Sequence, residues 1–427
     1  MNQPINRVKS ALPVPQVAFA AIFLALTLGS FSGCGSGNKS STSAPTSKIA
    51  NRVFVSNLSA SVLNIVDAKA DTLSTFTVGG VSGPTQMFES ADKNTTIVYN
   101  SLPNTFAVVS NATEAVTASV SLGSAASSLA VTADASRAFA ALPSGVCANS
   151  SVIGAVAVVS LTNATVTNCI PVTGARSIAL SPNAATLLIF AQDSNVATFM
   201  DTTSLKPAAV NDPGLILDRP VNAVFSSDST SAYILSCGPE CGDTSATATA
   251  KVSVWNVAAN TLGLTQNVTS ARDALLDSGN LYVAGSSPTF SPGNGQLTIL
   301  NAGTLTPIAL PSATANPVMI SDGIHDKMLL SNGQLFVGAR ACSDTAHGCL
   351  SIYNTSSAAV KFSAISPNLG NDTSGGDDVT GMEPIPGRTV VYVCEGGEVQ
   401  IYDTTTDALQ KNQIDIVGQA EDVREVF

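Results

Sequence analysis

The residues of this 427-residue sequence with the clearest capacity for chemistry are its eight cysteines. Six of them fall into three pairs that are close along the chain: Cys147 with Cys169, Cys237 with Cys241, and Cys342 with Cys349. In an exported protein such pairs are expected to form disulfides. Zinc binding by the CGPEC segment is the alternative, but no second Cys or His pair accompanies it. Cys394 is left over, and we predict a free, half-buried, unreactive thiol because nothing nearby in sequence lowers its pKa.

The acidic residues and histidines give weaker evidence of a metal site or a catalytic site. The run NDTSGGDD places Asp372, Asp377 and Asp378 around two glycines. These oxygen ligands suit calcium, although the run lacks the fixed spacing of an EF-hand loop. His325 and His347 are the only histidines, and with no nucleophile or ligand set beside them we interpret them as solvated loop residues. We therefore predict no catalytic residue and no cofactor, with calcium as the alternative at the acidic run.

The first 33 residues have the composition of an export signal. Arg7 and Lys9 precede an apolar run of twelve residues, Val17 to Leu28, which is short for a membrane span, and small residues follow it. The segment Phe31-Ser32-Gly33-Cys34 resembles the bacterial lipoprotein signal, with Phe31 in place of the usual Leu. That resemblance implies that Cys34 is the acylated first residue of the mature protein. An ordinary cleaved signal peptide is the alternative. Residues 34–50, rich in Ser, Gly and Thr, are predicted to be a flexible tether.

The remainder of the chain, residues 51–427, is built from repeats. In Ser61 to Gly80 an alternating apolar run ends at Asp67 and a second run follows a short polar turn, which is typical of a β-hairpin. Seven comparable hairpins begin farther along the chain, at Thr105, Ala155, Val196, Val252, Leu297, Leu350 and Val399. Each is preceded by another pair of predicted strands joined by a turn such as Ala91-Asp92 or Asn332-Gly333. Each repeat is therefore predicted to contain four strands.

Eight such units, spaced about 41 to 56 residues apart, predict one all-β domain, a β-propeller of eight four-stranded blades. Seven blades is the alternative if the irregular unit around Asn316 to Ala339 is misread. The last residues have the pattern of a first strand, whereas the first unit begins at its second strand. We therefore predict that Glu421–Phe427 pairs with Arg52–Asn57 and closes the ring without an open sheet edge.

The strand and turn motifs resemble those of the YVTN-type β-propeller repeat family. The resemblance rests on Val53-Phe54-Val55-Ser56-Asn57, Ile97-Val98-Tyr99-Asn100 and Asn64-Ile65-Val66-Asp67. Five units carry another residue where three carry Asp at the hairpin turn: Ser110, Ser160, Asn256, Asn301 and Asn354. All of these residue types can cap a turn. The resemblance implies the fold, because the repeated residues are those that build strands and turns.

Function is less constrained by the sequence. A net charge of −11 and only 11% charged residues disfavour a nucleic-acid partner. Four connections between second and third strands are long and predict one decorated face: Ser144 to Gly154, Cys237 to Ala250, Ser286 to Gly295, and Ala341 to Gly348. We therefore expect a lipid-anchored binding scaffold of the bacterial cell envelope, periplasmic or surface-facing, which binds a protein or other envelope ligand through this face.

The alternative is a propeller enzyme, such as a lactonase-like hydrolase or a quinone-dependent dehydrogenase. Such enzymes carry sets of acidic, histidine or arginine residues at the mouth of the axial channel, and the sequence alone does not assemble one. Convergence of Asp, His and Arg side chains at one axial mouth would favour chemistry, whereas a broad apolar or mixed patch would favour a protein partner.

Overall fold

The computed structural model describes residues 47–191, 193–286, 295–311, 314–342, 348–362, 378–410 and 413–426. They form eight four-stranded antiparallel sheets arranged as the blades of a β-propeller, which confirms the predicted fold class and the count of eight. The described residues contain the 3-10 turn Gly238–Cys241 and no α-helix. Cys34 and most of the predicted tether lie outside the described residues.

The blades follow one another along the chain, and each takes four strands. Blade 1 contains β1 (Arg52–Asn57), β2 (Val62–Asp67), β3 (Thr72–Val78) and the last strand, β32 (Ala420–Glu425). Blade 2 contains β4 (Pro84–Glu89), β5 (Thr95–Asn100), β6 (Thr105–Ser110) and β7 (Ala115–Ser121). Blade 3 contains β8 (Ser128–Val131), β9 (Arg137–Leu142), β10 (Ala155–Ser160) and β11 (Thr165–Pro171). Blade 4 contains β12 (Ala175–Leu180), β13 (Thr186–Ala191), β14 (Ala197–Asp201) and β15 (Pro207–Ala209).

The second half of the ring repeats this order. Blade 5 contains β16 (Pro220–Phe225), β17 (Ser231–Ser236), β18 (Lys251–Asn256) and β19 (Thr261–Asn267). Blade 6 contains β20 (Asp273–Asp277), β21 (Asn280–Ser286), β22 (Gly295–Asn301) and β23 (Val318–Ile320). Blade 7 contains β24 (Ile324–Ser331), β25 (Gln334–Arg340), β26 (Leu350–Asn354) and β27 (Val360–Phe362). Blade 8 contains β28 (Val379–Pro384), β29 (Val390–Glu395), β30 (Glu398–Asp403) and β31 (Ala408–Leu409).

Burial varies across each blade and explains the sequence patterns. Second strands such as β29, VVYVCE, are buried along their whole length because both of their faces pack against neighbouring blades. Fourth strands such as β11, TVTNCIP, are mostly exposed. Aromatic side chains join adjacent blades at Trp255, Tyr353 and Tyr402. Their ring centroids lie 5.3 to 6.3 Å from those of an aromatic residue one blade away: Phe199, Tyr282 and Phe336, respectively.

The hairpin turn after each third strand is held by the side chain that the sequence repeats. Asp67 Oδ1 accepts a hydrogen bond of 2.9 Å from the Lys69 N–H, and Asn301 Oδ1 accepts one of 3.0 Å from the Gly303 N–H. In the other six units a side-chain oxygen likewise accepts a hydrogen bond from a backbone N–H two or three residues later. The accepting residues are Ser110, Ser160, Asp201, Asn256, Asn354 and Asp403. The prediction that Ser and Asn can cap this turn where Asp is absent is therefore confirmed.

The two ends of the folded domain meet in blade 1. Strand β32 pairs antiparallel with β1, with Val55 opposite Val423, which confirms the predicted closure. Val423 on this strand and Val426 directly after it are buried, and Phe427 lies outside the described residues. Closure leaves β1 with a partner on both sides, so blade 1 has four strands like the other seven blades.

Blade 6 departs from the expected hairpin. The sequence predicts its fourth strand within the run that follows Leu305, but the fourth strand is β23, farther along the chain. A single bridge, Leu300 to Pro307, is all that remains of the predicted pairing in this stretch. Pro307 and Pro311 have no N–H to donate to a ladder, so the chain passes them before it pairs again.

Candidate functional site

The first strands of seven blades, together with Arg272 just before β20 in blade 6, line a cavity of about 1050 Å³ at the axis of the propeller. Connections between second and third strands add to its wall. Asp193 comes from the connection of blade 4, Glu240 and Cys241 come from that of blade 5, and Arg340 ends β25 in blade 7. Of the four long loops predicted from the sequence, Cys237 to Ala250 thus contributes described residues to the cavity wall.

Eleven charged side chains line the cavity. Five of the nine arginines in the sequence line it, together with one lysine: Arg176, Arg219, Arg272, Arg340, Arg424 and Lys327. Five acidic residues face the same space: Asp193, Glu240, Asp326, Glu421 and Asp422. In a chain of net charge −11, this places an unusual share of the positive charge at one site. Asp, His and Arg side chains, whose convergence would favour chemistry, thus line one axial cavity.

Several of these arginines are neutralised by acids. Arg219 forms an ion pair with Asp193, and Arg340 Nη2 lies 2.7 Å from Asp326 Oδ2. Arg176, by contrast, is exposed at the start of its inner strand and forms no ion pair with any residue that the structure describes. Its guanidinium is therefore open to an incoming anion.

Arg424, on β32, forms ion pairs with two acidic residues. Its Nη2 lies 3.3 Å from Asp422 Oδ1, and its Nη1 lies 3.2 Å from Glu383 Oε2. Asp422 also accepts a hydrogen bond of 2.7 Å from the Met87 N–H of blade 2. Burial raises the pKa of Asp422, and Arg424 opposes that rise. The closing strand is thus fixed to both of the blades beside it by polar contacts at the channel.

Among the acidic residues of the cavity wall, Glu240 is the one best suited to proton transfer. It lies in the short 3-10 turn between Cys237 and Cys241, and its Oε2 is buried without a hydrogen-bond partner. A Cβ at Gly285 would lie only 2.7 Å from this oxygen, so the carboxyl group occupies room that a glycine leaves. Burial raises the pKa of Glu240 to about 7, although the charge of Arg272 opposes the rise. Glu240 can therefore gain or lose a proton near neutral pH.

His325 lies on β24 in the same wall and is 1% exposed, so the interpretation of this residue as a solvated loop histidine is wrong. Its Nε2 donates a hydrogen bond of 2.9 Å to the Ser321 carbonyl oxygen, and Nδ1 has no partner. Burial lowers the pKa of His325 to about 4, so the ring is neutral at pH 7 and Nδ1 is an acceptor. His347 lies outside the described residues.

A second acidic group lies where three neighbouring inner strands end. Ligand atoms of Glu89, Glu383 and Glu425 all lie within 4.8 Å of one another. Lys93 already supplies a cation to this group, because it forms ion pairs with Glu89 and, at 3.0 Å, with Glu425. Burial raises the pKa of Glu89 to about 7 despite Lys93. Carboxylates at this spacing are the kind of ligand that calcium binds, but here the ammonium group of Lys93 already neutralises part of their charge.

Most of the acidic residues that the sequence suggests as calcium ligands lie outside the described residues. Asp372 and Asp377 lie outside the described residues. Asp378 directly precedes β28, and its carbonyl oxygen accepts a long hydrogen bond of 3.4 Å from the Gly396 N–H. Calcium at this run stays a prediction.

Three disulfides join the same cysteines that the sequence pairs. The Cα atoms are 5.5 Å apart in Cys147–Cys169, 5.6 Å in Cys237–Cys241 and 5.5 Å in Cys342–Cys349. Cys394 is free, and it is fully buried instead of half-buried because β29 packs on both faces. Burial raises the pKa of its thiol, and the negative charge of Asp422 adds to the effect.

The arginines of the channel are not among the site residues predicted from the sequence, although the sequence contains a signal for them. Four of them occur within or just before the first strand of a blade, in the segments Ala175-Arg176, Arg219-Pro220, Arg272-Asp273 and Val423-Arg424. First strands line the axis of a propeller, so a basic residue recurring at that position predicts a basic channel. Glu240, in a loop insertion, carries no comparable signal.

Comparisons with known proteins bear on the fold. No protein-family model and no curated protein matches the chain. Among solved structures, dihydro-heme d1 dehydrogenase NirN in complex with DHE is 12% identical with a TM-score of 0.62, covering 88% of this chain and 75% of that one. Hydrazine synthase of Kuenenia stuttgartiensis is 15% identical with a TM-score of 0.50, covering 79% and 96%. A functionally unknown protein from Desulfotomaculum acetoxidans DSM 771 is 12% identical with a TM-score of 0.51, covering 88% and 99%. At such identities the similarity concerns the fold alone, and that fold is the β-propeller.

Proposed function

We propose that this chain is an exported β-propeller that binds a small anionic ligand in its axial channel. The observation that carries the proposal is the concentration of five of nine arginines in one cavity of an acidic protein. Guanidinium groups bind carboxylates and phosphates through paired hydrogen bonds, which makes them the usual residues for such ligands. Arg176, exposed on the wall and without an ion pair among the described residues, is the proposed first contact.

The location of the protein forms a second part of the proposal. Three disulfides indicate an oxidising, extracytoplasmic compartment. Within the described residues, no helix has the length and apolar character needed to cross a bilayer. We propose that Cys34 is acylated after removal of residues 1–33 and that residues 34–50 tether a YVTN-type propeller to a membrane of the bacterial envelope. Mass spectrometry of the mature N-terminus tests this, and an unmodified Cys34 or a start after Cys34 would contradict it.

A propeller enzyme is the second candidate, and Glu240 is the observation that favours it. A carboxyl group with a pKa of about 7 can serve as a general acid or base at neutral pH. His325 presents a neutral acceptor nitrogen in the same wall. The binding proposal does not depend on this chemistry, because arginines recognise an anion whether or not it reacts. A protein partner at the loop-rich face is compatible with both candidates.

Anion binding can be measured directly by isothermal titration calorimetry with the mature protein. The ligands are inorganic phosphate and simple mono-, di- and tricarboxylates, at low salt so that charge screening is small. We expect saturable binding for at least one of these anions and a loss of affinity of about tenfold in Arg176→Gln, as for removal of one charge-assisted contact. Lys206→Gln, which removes an exposed positive charge outside the cavity, is the matched control and should bind like wild type. Absence of binding by the whole panel, or equal loss in both variants, would contradict the proposal.

A further inference from the structure

One of the three disulfides differs from the others in its surroundings. Cys241 lines the axial cavity, and it is the one cysteine in the described part of the cavity wall. Its partner Cys237 is fully buried behind it. In the disulfide of blade 3, by comparison, Cys147 is buried and Cys169 lies on the exposed outer strand β11. A small molecule in the channel therefore meets Cys241, one of the two residues of this disulfide.

The charge beside this sulfur is positive. Arg272 Nη1 lies 3.3 Å from Cys241 Sγ and donates a hydrogen bond to it. A guanidinium group at this distance stabilises a thiolate and lowers the pKa of the corresponding thiol. Two acids also act on this region, Glu240 next in sequence and Asp322, whose charge affects Glu240. Arg272 alone among these groups contacts the sulfur atom.

We propose that Cys237–Cys241 is a redox-active disulfide that exchanges with thiols entering the axial channel. The thiolate of the incoming thiol attacks Cys241 Sγ, the Cys237–Cys241 bond breaks, and its electron pair leaves on Cys237 Sγ, which takes up a proton. A mixed disulfide is then present at Cys241. A second thiol group of the reductant attacks that disulfide at its own sulfur and releases Cys241 as a thiolate beside Arg272. Two thiols are oxidised to a disulfide while Cys237 and Cys241 are reduced.

Two further features of the chain suit this role. The Cys237–Cys241 bond closes a loop with a sequence separation of 4, whereas Cys147–Cys169 closes one of 22. The stabilisation from a crosslink grows with loop length, so the propeller depends less on the shorter bridge. Glu240, with a pKa of about 7, offers a carboxyl group next to Cys241 that exchanges protons at the pH where thiols and thiolates interconvert.

The test uses the native protein and its own disulfides as controls. The protein is equilibrated with dithiothreitol buffers of graded reduction potential, quenched with acid and alkylated, and its peptides are mapped by mass spectrometry. We expect Cys237–Cys241 to be reduced at potentials that leave Cys147–Cys169 oxidised. If the two bonds are reduced together, or Cys147–Cys169 is reduced first, the proposal is wrong.

A second measurement concerns Arg272. After selective reduction, iodoacetamide should modify Cys241 at pH 7 faster than Cys237, and Arg272→Gln should slow the reaction of Cys241 about tenfold, which corresponds to one pKa unit. Lys206→Gln is the control for a lost positive charge elsewhere and should react like wild type. Equal rates in Arg272→Gln and wild type would overturn the assignment of Arg272. Because the potential measurement needs no variant and no anionic ligand, its result is independent of the anion-binding proposal.

Discussion

Closure of the ring by β32 makes a quantitative prediction about two valines. Val423 packs in the core cluster between blades 1 and 8, with Val53, Val55 and Tyr392. Val426 packs in the cluster between blades 1 and 2, with Phe54 and Met87 among its neighbours. Both side chains are at most 1% exposed. Strand β32 and the residue that follows it thus supply one core residue to each of the two interfaces beside blade 1.

The cost of truncating these side chains follows from their burial. Replacing a valine with alanine removes two methyl-sized groups at about 0.8 kcal/mol each, and the cavity left behind raises the cost to roughly 2 to 3 kcal/mol. Because Val423 and Val426 belong to different clusters, the two costs should add, giving roughly 4 to 6 kcal/mol for the double variant. That amount is comparable with the whole unfolding free energy of many domains, about 5 to 15 kcal/mol.

Guanidinium unfolding of wild type, the two single variants and the double variant measures these costs. Val417→Ala is the matched control, because Val417 is 81% exposed just before β32 and its substitution should change the unfolding free energy by less than about 0.5 kcal/mol. A double variant within about 1 kcal/mol of wild type would mean that β32 does not close the ring. Equal losses in Val417→Ala and Val423→Ala would mean that burial is not the cause.

Three other predictions concern titratable groups. Because the pKa of Glu240 in the folded protein, about 7, lies above its ordinary value of 4.5, the stability that its protonation provides is lost as pH rises between these values. Between pH 5 and pH 8 the unfolding free energy of wild type should therefore fall relative to that of Glu240→Gln. Burial alone would raise the pKa of Asp71, but the hydrogen bonds from Arg388, with Nη2 at 2.9 Å, and from Tyr392 leave it below 3.8. The pair joins blades 1 and 8, so its contribution is lost as pH falls below 3.8, and Asp71→Asn should show a shallower acid dependence of stability than wild type. Cys394 should resist iodoacetamide in the native protein and react in denaturant without reductant, and peptide mapping that finds it modified under native conditions would contradict its burial.

Much of the fold could be predicted because it is encoded in short segments. Period-two alternation and polar turns define the hairpins, and a residue such as Asp67 or Asn301 caps its own turn two residues away. The pairing of β32 with β1 was also predictable, because each end of the folded chain holds part of one repeat. Blade 6 was predicted less well, since the prolines after Leu305 interrupt a hairpin whose apolar pattern continues.

The candidate site could be predicted only in part. Cys237 and Cys241 are neighbours in sequence, so their pairing followed from spacing. The position of Cys241 beside Arg272, a residue of the next blade, did not follow from spacing, because it depends on how two blades pack. The burial of His325 was missed because a polar residue with Asp on either side of it suggests a loop, whereas the chain places it on an inner strand.

By itself, the sequence determined most of the strands and their turns, the number of blades and the partner of each paired cysteine. These features depend on contacts within one repeat or on matching the two chain ends, and the fourth strand of blade 6 is the exception. The tertiary structure decided which side chains share the channel. Arg176, Arg272 and Arg424 belong to different blades, and they face one cavity because the blades form a closed ring around a common axis. The pKa of Glu240 was decided in the same way, since the burial that raises it comes from the packing of blade 6 residues such as Gly285 against a loop of blade 5. Local periodicity carries no information about burial produced by a neighbouring blade, and the chemistry of this channel depends on that burial.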